Sequence, residues 1–149
     1  MNRTFVKSLF DSNAGTAALV LRVPTGLILA AHGAQKLFGW FGGYGLEGTG
    51  QWMASIGLGP GYLMALLAGS AEFFGGLALV LGLLTRPAAA VSAFTMLVAM
   101  FSVHIGNGLF MSNNGYEYAL TLAVIGVALA LQGGGRLALD NLVARKLGR

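Results

Sequence analysis

The chain has 149 residues, of which 56% are hydrophobic and 9% charged, and its mean hydropathy is +0.73. So apolar a composition excludes an ordinary soluble domain and makes the bilayer the expected solvent. The formal charge of +4 comes from basic residues beside apolar segments, which excludes a nucleic-acid partner; the absence of cysteine excludes disulfides, thiolate metal sites and CxxC redox chemistry run by this chain alone.

Backbone groups in hydrocarbon must pair within their own segment, and the alternating pattern of barrel strands is missing, so an all-α polytopic membrane protein is predicted. At about 20 residues per span, the length accommodates a single domain, 1–149, built as a four-transmembrane-helix bundle with no soluble catalytic module.

Residues 1–13 carry Arg3, Lys7 and Asp11 among Phe5, Val6, Leu9 and Phe10, a short amphipathic run suited to a membrane surface. A signal peptide is the competing reading, disfavoured because the apolar stretch that follows is longer than an h-region and contains Arg22 and Pro24. The first span is expected over 15–38. A glycine-rich connection, 39–61, then presents Trp40, Phe41, Tyr44 and Trp52 as interfacial aromatics, with a short interfacial helix expected over 46–56 and Glu47 as its one formal charge.

The second span, 62–84, is expected to close in a turn at Thr85-Arg86-Pro87, and the third, 88–105, follows at once. An uncharged loop, 106–115, leads to the fourth span, 116–131, which Gly133-Gly134-Gly135 ends. The tail, 136–149, sets Arg136, Arg145, Lys146 and Arg149 beside Leu137, Leu139, Leu142 and Val143, as in a basic segment attracted to anionic lipid. Arg3, Lys7, Arg86 and the basic residues of the tail all fall on the side of the termini and the second turn, whereas the first and third connections hold no Lys or Arg. The positive-inside rule then places both N and C termini in the cytoplasm.

Ionisable residues within the spans carry the functional signal: Arg22, His32 and Lys36 in the first, Glu72 in the second, His104 in the third and Glu117 in the fourth. A charge at bilayer depth costs at least about 2.5 kcal/mol, so each needs a partner or a wet cavity. Helical spacing puts Arg22, Thr25, Gly26, His32, Gly33 and Lys36 on one face, and Ala65, Ala68, Gly69, Glu72, Gly75 and Gly76 on another. On the third span Ala90, Ala93, Leu97, Met100, Phe101 and His104 share a face, and on the fourth Glu117, Thr121, Val124 and Ala128 do. Depth divides the charges into an outer cluster of His32, Lys36, His104 and Glu117 and a deeper Arg22 and Glu72 pair able to form a salt bridge. Lys36 and Arg22 could instead snorkel to headgroups, and the histidines could be satisfied by carbonyls or water; Glu72 is too short and too deep for that.

No metal site is expected, since no H-x-x-x-H or E-x-x-H pair puts ligands on one helical face. Haem between two histidines is disfavoured because both lie near the outer mouth. What remains is an outward-opening polar pocket whose His, Lys and Glu can donate, accept or relay protons, with Glu72 and His104 as the proton-relay candidates. Such a pocket suits a quinone head group or another small polar molecule with an apolar tail.

The arginine of LRVPTG at Arg22, the run HGAQKLFG from His32, AEFFGGLAL from Ala71, the TRPAA turn at Thr85, His104 before Gly108 and GYEYAL from Gly115 together resemble the DoxX family, and GGGRLALD ending at Asp140 is similar to that family's close, with Ala138 where serine is usual. The resemblance covers nearly the whole chain. It implies a four-helix, multi-pass protein of the bacterial inner (plasma) membrane, and it puts Arg22, His32, Lys36, Glu72, His104 and Glu117 at the family's polar motif positions as ligand-binding candidates. It also implies a link to membrane oxidoreductase complexes. Two functions are therefore expected: a quinone-linked membrane subunit with a partner subunit of an oxidoreductase complex, or a non-enzymatic scaffold or small-solute carrier whose polar residues hold the bundle together. The small-residue seams also permit a homo-oligomer.

Overall fold

The computed structural model describes residues 9–12 and 14–147, and every regular element among them is helical. The elements are α1 (Ala17–Phe38), α2 (Gly45–Ser55), α3 (Gly61–Leu81), α4 (Thr85–Ala99), α5 (Glu117–Gln132) and α6 (Asp140–Leu147). Three helical stretches are long and apolar enough to cross a membrane: Ala17–Phe38, Gly61–Leu81 and Thr85–Asn107, the last being α4 with its irregular extension. The fourth apolar helix, α5, is shorter, and at 1.5 Å per residue it covers about 24 Å against about 33 Å for α1. Most of the amphipathic run proposed over 1–13, and Arg149 of the tail, lie outside the described residues.

α1 packs along α3 and α4 along α5; contacts of α3 with α4 and of α1 with α5 close the ring. The α1–α3 seam is made of backbone. A Cβ on Gly33 would stand 2.3 Å from the Phe73 nitrogen, and one on Gly76 2.5 Å from the Gly26 oxygen, so only glycine permits this approach. The pairing of 26 with 76 and of 33 with 69–73 makes the helices antiparallel and sets their register.

Bounds differ from the expectation in two places. The α3–α4 turn is Gly82–Leu84, with Gly82 and Leu84 both at positive φ, and Thr85-Arg86-Pro87 form the first turn of α4 instead of the connection. Proline is tolerated there because a first-turn N–H has no intrahelical partner. At the other end, α4 leaves regular geometry at Ala99, passes through a π-helical turn at Met100–His104 and finishes in a 3-10 turn at Ile105–Asn107.

The faces turned inward also differ from simple periodicity. On α1 and α3 the expected small and polar faces turn inward, with Lys36, Ala68 and Gly75 half-buried at their margins, except that His32 stands exposed at the edge of α1. On α4 the buried set is Ala89, Ser92, Ala93, Met96 and Met100, while Ala90 and Phe101 are exposed. On α5, Ala119, Leu122, Ala123, Gly126 and Leu129 face inward and Thr121 and Val124 outward, because the close approach is through Gly126 against Ala89 and Ala93. The expected interfacial helix exists as α2, yet it packs on the start of α3, where Gly50 meets Gly61 and Tyr62.

The end of the bundle that carries the α3–α4 turn is tied by polar side chains. Asp140, 1% exposed, accepts from the Leu84 and Thr85 N–H groups at 2.6 and 2.9 Å, so the acid that opens α6 caps the N-terminus of α4. Arg86 donates to the Ala130 and Leu131 carbonyls and thereby caps the C-terminus of α5.

Two stability results are expected in detergent. Gly33→Ala forces α1 off α3 and lowers stability by about 1–3 kcal/mol, seen as a lower thermal midpoint, whereas Gly106→Ala, at a position with nothing within 4 Å of its Cβ, leaves the midpoint in place. Asp140→Ala strands two N–H donors and costs about 1–3 kcal/mol, read by the same melt.

Candidate functional site

At the α2 end of the bundle the register of α1 on α3 brings Lys36 to Glu72. Lys36 Nζ lies 2.6 Å from Glu72 Oε2, with the lysine side chain 23% and the glutamate 4% exposed. This is the only ion pair among the described residues. Lys36 stands near the end of α1, level with Gly69, and its long stem reaches back one turn toward the middle of α3.

Three cavities meet at Lys36. One of about 110 Å³ lies inside the bundle against His32, Lys36, Glu72, Met96, His104 and Tyr118. A second, of about 310 Å³, is walled by Trp52 and Met53 of α2, Ala68 and Glu72 of α3, and Thr95, Val98 and His104 from the α4 side. Trp52 and Val98 are partly exposed on the outside of the bundle, so this wall borders its apolar exterior. A third, of about 460 Å³, is a cleft between the end of α1 and α2, lined by Gln35, Lys36, Gly43, Tyr44, Thr49 and Trp52. Lys36 lines all three; Glu72 and His104 line the inner two.

The histidines reach the site by different routes. His32, on the exposed edge of α1, sits with its ring 6.2 Å from that of Tyr118 on α5. His104 closes the π-helical turn, and its Nδ1 is 2.9 Å from the Asn114 carbonyl oxygen. Asn107 Nδ2 donates to the same oxygen at 3.2 Å. Helical irregularities of this kind recur where a side chain must be aimed.

Of the residues nominated from sequence, His32, Lys36, Glu72 and His104 converge. Arg22 and Glu117 do not. The expected Arg22–Glu72 salt bridge is absent: Arg22, 2% exposed, donates from Nε to Gly134 O at 3.1 Å, from Nη1 to Leu79 O at 2.9 Å and to Val80 O, and from Nη2 to Leu137 O at 2.9 Å. Arg22 stands at the end of the bundle with the α3–α4 turn, where the last carbonyls of α3 and the glycine-rich loop after α5 satisfy it before a carboxylate can. Glu117 accepts from the Met111 N–H at 2.6 Å and so folds the preceding loop instead of facing the cavities. Tyr118 and Asn114 were not nominated, because a tyrosine in an apolar run and a backbone carbonyl leave no mark in a sequence. For Asp140 the available signal is an acid that opens a basic tail.

Chemically, the site offers an ammonium donor, a carboxylate and two imidazoles next to apolar walls. Among the described residues, no three His, Asp or Glu side chains converge as they would around a metal ion. Breaking one half of the ion pair leaves the other charge buried, so Lys36→Met or Glu72→Leu alone is expected to cost about 3–5 kcal/mol, while the double variant recovers most of that loss. A double-mutant cycle on thermal unfolding reads the difference.

Comparison with known sequences finds that the model of the DoxX family matches residues 17–105. The Bacillus subtilis protein named "Putative oxidoreductase CatD" is 39% identical over 125 residues, covering 84% of this chain and 85% of that protein. The inner membrane protein YqjF of Escherichia coli is 35% identical over 114 residues, 72% of this chain and 82% of its own length. No solved structure matches.

Proposed function

Since the chain belongs to the DoxX family of membrane proteins, we propose that it is the membrane subunit of a quinone-linked oxidoreductase, embedded by four spans with both termini in the cytoplasm. The arrangement that carries this reading is the Lys36–Glu72 pair between two cavities, a third reaching Lys36, with His32 and His104 beside it. A buried ion pair used only for packing needs no cavities around it.

The topology rests on charge. Arg86, Arg136, Arg145 and Lys146 lie at the end with the α3–α4 turn, and no Lys or Arg occurs in the connections at the other end. The cytoplasmic side is then the turn side, and the cavities open outward. α5 is short for a span of about 30 Å, and Arg86, which binds the carbonyls at its end, supplies the polar groups that make a short helix tolerable there. The oxidoreductase class is drawn from the name of CatD and the location from that of YqjF, in the inner membrane.

The residues present suit a quinone. The cavity of about 310 Å³ is mostly apolar, it borders the exterior where an apolar tail would lie, and it has Lys36 as a donor and Glu72 and His104 as polar groups at its back. A bound quinone supplies the electron-accepting chemistry. This chain's part is to hold it, exclude water and handle protons at Glu72 and His104, with electrons delivered by a partner subunit.

One observation favours a second reading. The ion pair joins the neighbouring helices α1 and α3, as a scaffold would require. The two separate on the purified protein: solvent extraction releases a stoichiometric quinone if the first holds, and Glu72→Gln and His104→Ala each lower quinone reduction by the assembled complex by at least tenfold. No quinone in the extract together with unchanged reduction in both variants leaves the scaffold.

A further inference from the structure

We propose that His104 is the proton acceptor of this site, held as its Nδ1–H tautomer by the Asn114 carbonyl so that Nε2 takes the proton from a hydroxyl of a ligand in the inner cavities. The tautomer follows from the partner. A backbone carbonyl oxygen can only accept, so an Nδ1 at 2.9 Å from it must donate, and a neutral imidazole that donates through Nδ1 keeps its lone pair on Nε2.

The acceptor atom is also held in place. Asn114 takes a left-handed conformation, φ 59°, at the end of a short 3-10 turn, which presents its carbonyl to the α4 side. Asn107 donates to that same oxygen and to Val103 O, at 3.2 Å each, fixing the loop to the π-helical turn from which His104 projects. Both inner cavities are lined by His104, so a ring anchored at one nitrogen offers the other to their contents. No hydrogen bond from another described side chain engages Nε2.

The ligand class follows from the neighbours. The groups that share cavity walls with His104 are Lys36 and Glu72 in both cavities and His32 and Tyr118 in the smaller. A ligand O–H breaks, its proton forms a bond to Nε2, the electron pair stays on the ligand oxygen, and the resulting imidazolium and oxyanion are balanced by Glu72 and Lys36 respectively; when a quinone is reduced the same exchange runs backwards, Nε2–H returning its proton to the ligand oxyanion. This suits an acidic hydroxyl on an apolar ring, a phenol or hydroquinone. The ligand's class rests on the quinone reading above; the tautomer does not.

The test is nitrogen NMR of the full chain, labelled with 15N-histidine, in lipid nanodiscs. There are two histidines, so His104→Gln, or His32→Gln should the first fail to fold, assigns both signals. The expected spectrum has His104 Nδ1 protonated and Nε2 bare, and p-nitrophenol at saturation shifts Nε2 toward the protonated position. A bare Nδ1, an average of both tautomers, or an Nε2 that does not move with the phenol overturns the proposal. A bound quinone with a silent Nε2 defeats this inference alone, and a responding Nε2 without extractable quinone defeats the quinone reading alone.

Discussion

The backbone contact between α1 and α3 is the constraint from which the rest follows. With glycine at 26, 33, 69 and 76, the two helices approach until carbonyl and amide atoms meet, and a contact that close has one register. That register sends the basic residues of α1 to different levels of α3. Lys36 reaches Glu72 in the middle of the helix, and Arg22 reaches the carbonyls of Leu79 and Val80 at its end. A slip of one turn would separate both at once.

The two ends of the bundle consequently differ in kind. At the end with the α3–α4 turn, Arg22, Arg86 and Asp140 spend their charge on backbone groups that helix termini leave unpaired. At the α2 end the charges face one another and the cavities collect around them. A group already saturated by carbonyls has little left to offer a ligand, whereas the second set keeps polar atoms beside open space.

α2 and the π-helical turn shape the open end. By packing on the start of α3, α2 brings Trp52 and Met53 over the ion pair and turns an exposed helix face into the wall of a cavity. The turn at Met100–His104 and the loop folded by Glu117 bring His104 and the Asn114 carbonyl together. Glu117 therefore contributes to the site through the loop that it folds.

Sequence alone determined the helical class, the apolar segments and the residues whose burial would need explaining, because hydropathy, helical period and the cost of a buried charge are local quantities. It placed Glu72 on a small-residue seam and Arg22 toward the opposite end of the first helix from Lys36, and the packed helices keep that arrangement. The partners were a different matter. Whether Glu72 would meet Arg22 or Lys36, whether Glu117 would face inward, and which face of α5 would be buried depended on helix register, on side-chain reach and on competition from backbone carbonyls. Those are decided by distances between segments, which only the packed structure sets, and a carbonyl such as that of Asn114 is the same in every residue type until folding places it.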